Sequence, residues 1–188
     1  MDKDSHCYRR DSLLYNSLVR QKGVLILAFL VLVLDQVSKF LIQMNIPLWG
    51  KVSIIPDFFN LVHVLNRGAA FGFLNNSGSQ WQILFFVGMS IIAVAFIIYL
   101  LLTTSRNNAF LSYGLAAVLG GALGNLVDRL RIGMVVDFLD LYVNQWHWPA
   151  FNLADAAITC GALSLIVSFY TQDKYASDSR EHRSDYHI

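Results

Sequence analysis

Between Gly120 and Asp155 the chain reads GGALGNLVDRLRIGMVVDFLDLYVNQWHWPAFNLAD, which sets Asp128, Asp137, Asp140 and Asp155 among strongly apolar residues. An acid beside a membrane span is costly unless it has a partner or a task. Asp128 has Arg129 and Arg131 close in sequence, and Asp35, upstream, has Lys39; Asp137 and Asp155 have no nearby cation. Two carboxylates held close together resist double ionisation, so one keeps a proton while the other acts as a base. That division suits peptide hydrolysis, in which the ionised member activates water and the protonated member polarises the scissile carbonyl. The alternative for Asp137 and Asp155 is helix capping, a carboxylate accepting backbone N–H groups. Spacing alone leaves both open.

The remaining polar residues allow paired readings too. Asp35 and Lys39 are four apart and share a helical face, so an ion pair is favoured there over a catalytic acid. Asn66, Asn125 and Asn152 each offer donors and an acceptor suited to an extended peptide backbone, or else serve turns and caps. Gly68 marks a close backbone approach or a tight turn that supports the structure there. His63 and His147 lack metal-ligand spacing, and no phosphate loop, nucleophile elbow or dinucleotide fingerprint occurs, so neither a metal nor a cofactor is expected. Cys7 and Cys160 read as plain thiols.

The elements that carry these residues follow from composition. With 188 residues, 55% hydrophobic and 14% charged, and a mean hydropathy of +0.48, the chain is too apolar for an ordinary soluble domain. The net charge of +1, without a basic stripe, gives no case for nucleic acid. The expected fold is mainly α: a polytopic membrane protein of one domain, with four transmembrane helices at residues 23–44, 81–102, 109–128 and 151–170, each long enough to cross a hydrocarbon core of about 30 Å. The third, rich in Gly and Ala, is expected to pack most tightly and to end at Asp128 and Arg129.

Residues 45–80 carry Pro47, Pro56, Gly68, Gly72 and the turn-like Asn75 to Gly78, and Phe58 to Leu65 reads as a short strand pair or small sheet within an extracytoplasmic β element. Leu130 to Ala150, with Tyr142, Trp146 and Trp148, reads as an interfacial segment. Residues 1–22 and 171–188 read as cytoplasmic tails, and the first apolar run is too long and too charged to be a cleaved leader. Of 14 Lys and Arg, this map puts nine inside and only Lys51, Arg67, Arg129 and Arg131 outside, the bias that holds both termini in the cytoplasm. Asp35, Asp128, Asp137 and Asp155 then all lie toward the outer leaflet.

Five ordered motifs carry a resemblance: D-Q-V-S-K at Asp35 to Lys39, N-R-G-A-A-F at Asn66 to Phe71, G-N-L-V-D-R at Gly124 to Arg129, V-V-D-F at Val135 to Phe138 and F-N-L-A-D-A at Phe151 to Ala156. Together they resemble the bacterial lipoprotein signal peptidases, or signal peptidase II. The resemblance implies an aspartic endopeptidase of the bacterial inner membrane that removes signal peptides from prolipoproteins, cutting before a diacylglyceryl-modified cysteine, and that globomycin inhibits. It implies Asp137 and Asp155 as the catalytic dyad, Asn66, Asn125, Arg129 and Asn152 as substrate-positioning residues, and Asp35, Lys39 and Asp128 as structural support. The partners expected are the lipidated precursor and membrane lipid, with the enzyme a monomer. A proton-coupled membrane transporter is the alternative, but it needs a polar path to both sides, and the second span carries no ionisable acid or base.

Overall fold

The centre of the molecule is the helix whose sequence is richest in small residues. In the computed structural model, which describes the backbone of residues 3–68, 80–104 and 108–184 and the side chains of 21–68, 81–104 and 108–171, the elements run α1 (Lys3–Asn45), β1 (Lys51–Ile55), β2 (Phe59–Asn66), α2 (Gln80–Thr103), α3 (Ala109–Ile132), β3 (Val135–Val143), β4 (Trp146–His147) and α4 (Leu153–Ser184). Half of the span in α3 is buried, against 22% or less in the other three. Small residues explain how: a side chain at Gly120 would strike the Ala28 carbonyl and Val31 of α1, and one at Gly121 would strike the Ala154 carbonyl and Ile158 of α4. Without a hydrophobic drive between helices in lipid, such close backbone approach supplies the packing.

Among the described residues, four helices are long and apolar enough to cross a membrane, with spans at Gln21–Asn45, Trp81–Thr103, Ala109–Ile132 and Leu153–Thr171. Their outer faces present large apolar residues such as Leu25, Phe29, Leu84, Ile92, Leu163 and Ile166, as lipid contact requires. Three boundaries differ from the sequence expectation. The residues expected as polar tails continue the helices at both ends, as Lys3–Asn45 and Leu153–Ser184. The third helix runs four residues past Asp128 and stops only where Gly133 adopts φ 72° and returns its N–H to the Arg129 carbonyl, an αL cap that glycine adopts without strain. Asp128 and Arg129 therefore sit inside the helix rather than ending it.

The segment expected to lie along the interface is folded as strands. β3 pairs antiparallel with β2 on one side and with the short β4 on the other, in the order β1-β2-β3-β4. Its first six residues show no alternation of exposure, so it lacks the period of two by which a half-buried strand is recognised. Phe138 packs with Ile42 and Ile46 of the end of α1, and Leu61, Leu139 and Leu153 surround them. His63 Nδ1 adds a 2.9 Å hydrogen bond to the Ile46 carbonyl. The sheet is thereby fixed over the helix ends where α1 and α3 finish and α4 begins. Ala69, Ala70, Phe71, Gly72, the turn at Asn75 to Gly78, and Arg106 lie outside the described residues.

Candidate active site

Beneath the sheet, α1 and α3 contribute one buried cation and two buried acids. Lys39 Nζ lies 2.8 Å from Asp35 Oδ2 and 2.9 Å from Asp128 Oδ2, with all three side chains at 1% exposure or less. The sequence paired Asp128 with Arg129 and Arg131; in the structure its ion-pair partner is Lys39 of α1, while Arg131 donates to Gln43 Oε1 and Arg129 to Ser90 Oγ and the Asn125 carbonyl. Gln36 closes the group by donating to Asp35 Oδ2, to Asp128 Oδ1 and to the Gly124 carbonyl. Each acid also holds a backbone N–H beyond its own helix. Asp35 Oδ1 accepts from Ala154 at 2.9 Å and Asp128 Oδ2 from Val136 at 3.2 Å. Those are the residues that immediately precede Asp155 and Asp137.

A layer of amides lies above this ion cluster. Asn125 Oδ1 accepts from Lys39 Nζ at 3.0 Å, and its Nδ2 donates to Asp155 Oδ1 at 2.8 Å. Asn152, fully buried, donates through Nδ2 to Asp137 Oδ1 at 2.7 Å and to Asn125 Oδ1 at 3.3 Å. At the start of α4, Asn152 Oδ1 accepts from the Asp155 N–H at 2.9 Å while Asp155 Oδ2 accepts from the Asn152 N–H at 3.3 Å. This reciprocal pair is the geometry of a capping box. The capping reading of Asp155 is therefore realised, and the same carboxylate also faces Asn125. Asp137 caps no helix; it lies in β3 opposite Val64.

Asn66, two residues along β2 from that position, reaches diagonally to Asp137 Oδ2 at 3.0 Å, within the range of cross-strand neighbours. Its own orientation is set by the Gly68 N–H, which donates to Asn66 Oδ1 at 2.8 Å. Gly68 has φ +104°, and a Cβ there would enter the Phe86 ring of α2. Both readings of this glycine thus hold at once, since it turns the chain and lets α2 approach. Arg129 donates to the Asn125 carbonyl at 3.3 Å and Ser90 Oγ at 3.4 Å. It interacts electrostatically with Asp155, Asp137 and Asp128, and among the described residues no ion pair occupies it within 4.0 Å.

The two carboxylates without a cation therefore share a set of neutral donors. Asp137 is 2% exposed, and this burial pushes its carboxyl up to about 7; the charge of Asp155 adds to the rise, while hydrogen bonds from Asn66 and Asn152 and the charge of Lys39 oppose it. Asp155 is only half-buried. An acid that holds its proton near neutrality beside a more exposed acid is an arrangement capable of general acid and general base work.

Sequence reasoning gave no role to Gln36, although this residue stands within the D-Q-V-S-K motif beside Asp35. It also passed over a second polar cluster in the sheet, where Asn60 Nδ2 donates to Asp140 Oδ2 at 2.9 Å, His147 Nδ1 meets Asp140 Oδ1 at 2.8 Å, and His147 stacks on Tyr142 at 4.9 Å. Neither histidine touches Asp137 or Asp155 in the described hydrogen bonds.

Comparison with known proteins agrees with this architecture. The family model described as signal peptidase (SPase) II matches residues 27–171. The lipoprotein signal peptidase of Maridesulfovibrio salexigens is 51% identical over 145 residues, covering 77% of this chain and 93% of that protein. The lipoprotein signal peptidase of Nitratidesulfovibrio vulgaris is 46% identical over 163 residues, covering 87% and 98%. A solved bacterial membrane enzyme, determined by the in meso method at 2.3 Å resolution, superposes with a TM-score of 0.72 at 31% identity, covering 81% of this chain and 90% of its own. The chain belongs to the lipoprotein signal peptidase (signal peptidase II) family of membrane proteases.

Proposed function

We propose that the protein is an aspartic endopeptidase working within the membrane, with Asp137 and Asp155 as its catalytic pair and prolipoproteins bearing a diacylglyceryl cysteine as its substrates. The observation that carries this reading is the Asn152 side chain, which bonds Asp137 with its Nδ2 and the Asp155 backbone with its Oδ1, so that one amide aligns both acids. Asp155, the more exposed member, takes a proton from water as the oxygen attacks the scissile carbonyl carbon. Asp137 gives its proton to the carbonyl oxygen, forming a neutral tetrahedral diol. As the C–N bond breaks, Asp155 protonates the leaving amine and Asp137 recovers its proton from the diol. The products are a signal peptide with a new carboxyl end and a lipidated cysteine with a free amino group.

Asn66, Asn125, Arg129 and Asn152 surround the pair and hold the extended peptide, Arg129 with donors left for substrate carbonyls. The lipid of the substrate lies against the apolar faces of the helices in the outer leaflet. Both termini are cytoplasmic in this reading, in the bacterial inner membrane. A cysteine placed at residue 76 should label from the extracytoplasmic side; labelling only from the cytoplasm would invert the map and the site with it.

The deciding experiment is turnover of a model precursor with and without diacylglycerol on its cysteine. Cleavage should require the lipid and should vanish with Asp137→Asn at matched abundance. Equal rates on both precursors, or substantial turnover by that variant, would refute the reading.

A further inference from the structure

The proposed chemistry leaves the one buried cation of this cluster without a part. Lys39 could serve only to neutralise Asp35 and Asp128, but its third contact, to Asn125 Oδ1 at 3.0 Å, points toward the reacting groups. We infer that Lys39 is a positioning residue for peptide cleavage, which by donating to the Asn125 oxygen fixes that amide with its NH2 turned to Asp155. The inference rests on the reading of Asp137 and Asp155 as the catalytic pair.

The two ends of an asparagine amide have nearly the same shape and opposite hydrogen-bonding character. As it stands, Asn125 accepts from Lys39 and from Asn152 Nδ2 and donates to Asp155. Turned over, its NH2 would confront an ammonium and another NH2, and its oxygen would confront a carboxylate. Three bonds would become three repulsions, and the charge-assisted bond from Lys39 is the strongest of those that hold the present orientation. The order passes onward, because Asn152 Nδ2, which donates to Asn125 Oδ1, donates also to Asp137 Oδ1 and to the Val136 carbonyl. Lys39 is itself immobilised by Asp35 and Asp128, which also hold the N–H groups of Ala154 and Val136. One buried charge thereby orients a donor onto each catalytic acid without touching either.

The test separates this role from simple neutralisation. The triple variant Asp35→Asn, Lys39→Met, Asp128→Asn removes the cation together with both of its counter-charges and keeps oxygen acceptors for Ala154 and Val136. With the lipidated precursor, kcat should fall about 100-fold, the scale of a misplaced reacting group, while KM changes by less than about threefold. In protein labelled with 15N in asparagine, the Asn125 side-chain amide protons should exchange slowly in the parent and quickly in the triple variant. A triple variant with kcat within about threefold of the parent, or a kcat loss with the Asn125 amide signals unchanged, would overturn the inference. If the triple variant fails to fold, the parent protein still decides, since fast exchange of the Asn125 amide protons there is incompatible with a fixed donor. Failure of the catalytic-pair reading appears separately, as turnover retained by Asp137→Asn in the same assay.

Discussion

Asp35 and Asp128 share an ammonium, whereas Asp137 and Asp155, one layer above, share only amides. Lys39 contacts the first two at 2.8 and 2.9 Å; Asn66, Asn125 and Asn152 serve the second two. A carboxylate locked to a buried cation is held immobile. One that meets only neutral donors can exchange a proton. The lower pair can therefore be rigid while the upper pair stays chemically free, and the backbone bonds to Ala154 and Val136 transmit that rigidity upward. Removing a carboxylate should therefore have different consequences in the two layers.

The largest effect is expected in the upper layer. Asp137→Asn and Asp155→Asn keep shape while removing proton exchange, so each should lower turnover at least about 10³-fold at matched abundance, and the double variant should be little worse, because groups acting as a unit are not additive. Turnover assays on the lipidated precursor measure this. Independent, multiplying losses would dissolve the pair into two separate residues. The lower layer should respond differently. Asp35→Ala leaves Lys39 with one counter-charge and frees the Ala154 N–H, a break in a buried ion cluster on the order of 3–5 kcal/mol. Abundance and thermal stability should drop by more than turnover per folded molecule does, because Asp128 and Asn125 still hold Lys39. Normal abundance with abolished turnover would move Asp35 into the upper set.

How much of this contrast could be read in the sequence depends on how far apart its partners lie. Asp35 and Lys39 are one helical turn apart, and their pairing is visible in the spacing. The absence of a local cation at Asp137 and Asp155 is visible too. The partner of Asp128 was not, because Lys39 lies on another helix and the adjacent arginines are more conspicuous. The spans are evident from about 20 apolar residues each, and β2 from its run of β-branched and aromatic residues. β3 escaped because V-V-D-F-L-D-L-Y-V is buried along most of its length and places acids three apart, which a regular strand would turn to opposite faces. The register irregularity in its pairing with β2 between Leu61 and Val64 is a tertiary feature with no local signature. Asn152 as a bridge was equally hidden, since a helix cap and a substrate ligand look alike in one dimension.

A smaller effect sharpens the comparison through pH. The Asp137 carboxyl, raised from 3.8 to about 7 mainly by burial, binds its proton more tightly in the folded chain than in the unfolded one. Its contribution to stability is therefore fully present below about pH 4 and lost as pH rises through about 7. Asp137→Asn should match the parent in acid and exceed it above neutrality by up to about 4 kcal/mol, since each tenfold gain in proton affinity on folding is worth about 1.4 kcal/mol. Thermal denaturation of both proteins between pH 4 and 8 would show the curves separating in this direction. The same ionisation should appear as an alkaline fall in turnover, with a midpoint near 7. Parallel stability curves would mean that Asp137 is not held protonated by its surroundings.

The smallest effect comes from a fifth carboxylate, which belongs to neither layer. Asp140 is paired with His147 at 2.8 Å, but the His147 side chain is 50% exposed, and Asn60 already supplies Asp140 with a second donor at 2.9 Å. Water can replace the imidazole, and a solvent-exposed pair is worth no more than about 1 kcal/mol. His147→Phe keeps the ring that stacks on Tyr142 and removes only the hydrogen bond. Stability should fall by at most about 1 kcal/mol, and turnover should stay within about twofold of the parent, because no described bond links His147 to Asp137 or Asp155. Melting curves and the precursor assay check both parts. A large loss of turnover at unchanged stability would mean that β3 carries strain from Asp140 to Asp137, and the two-layer division would then have to include the outer edge of the sheet.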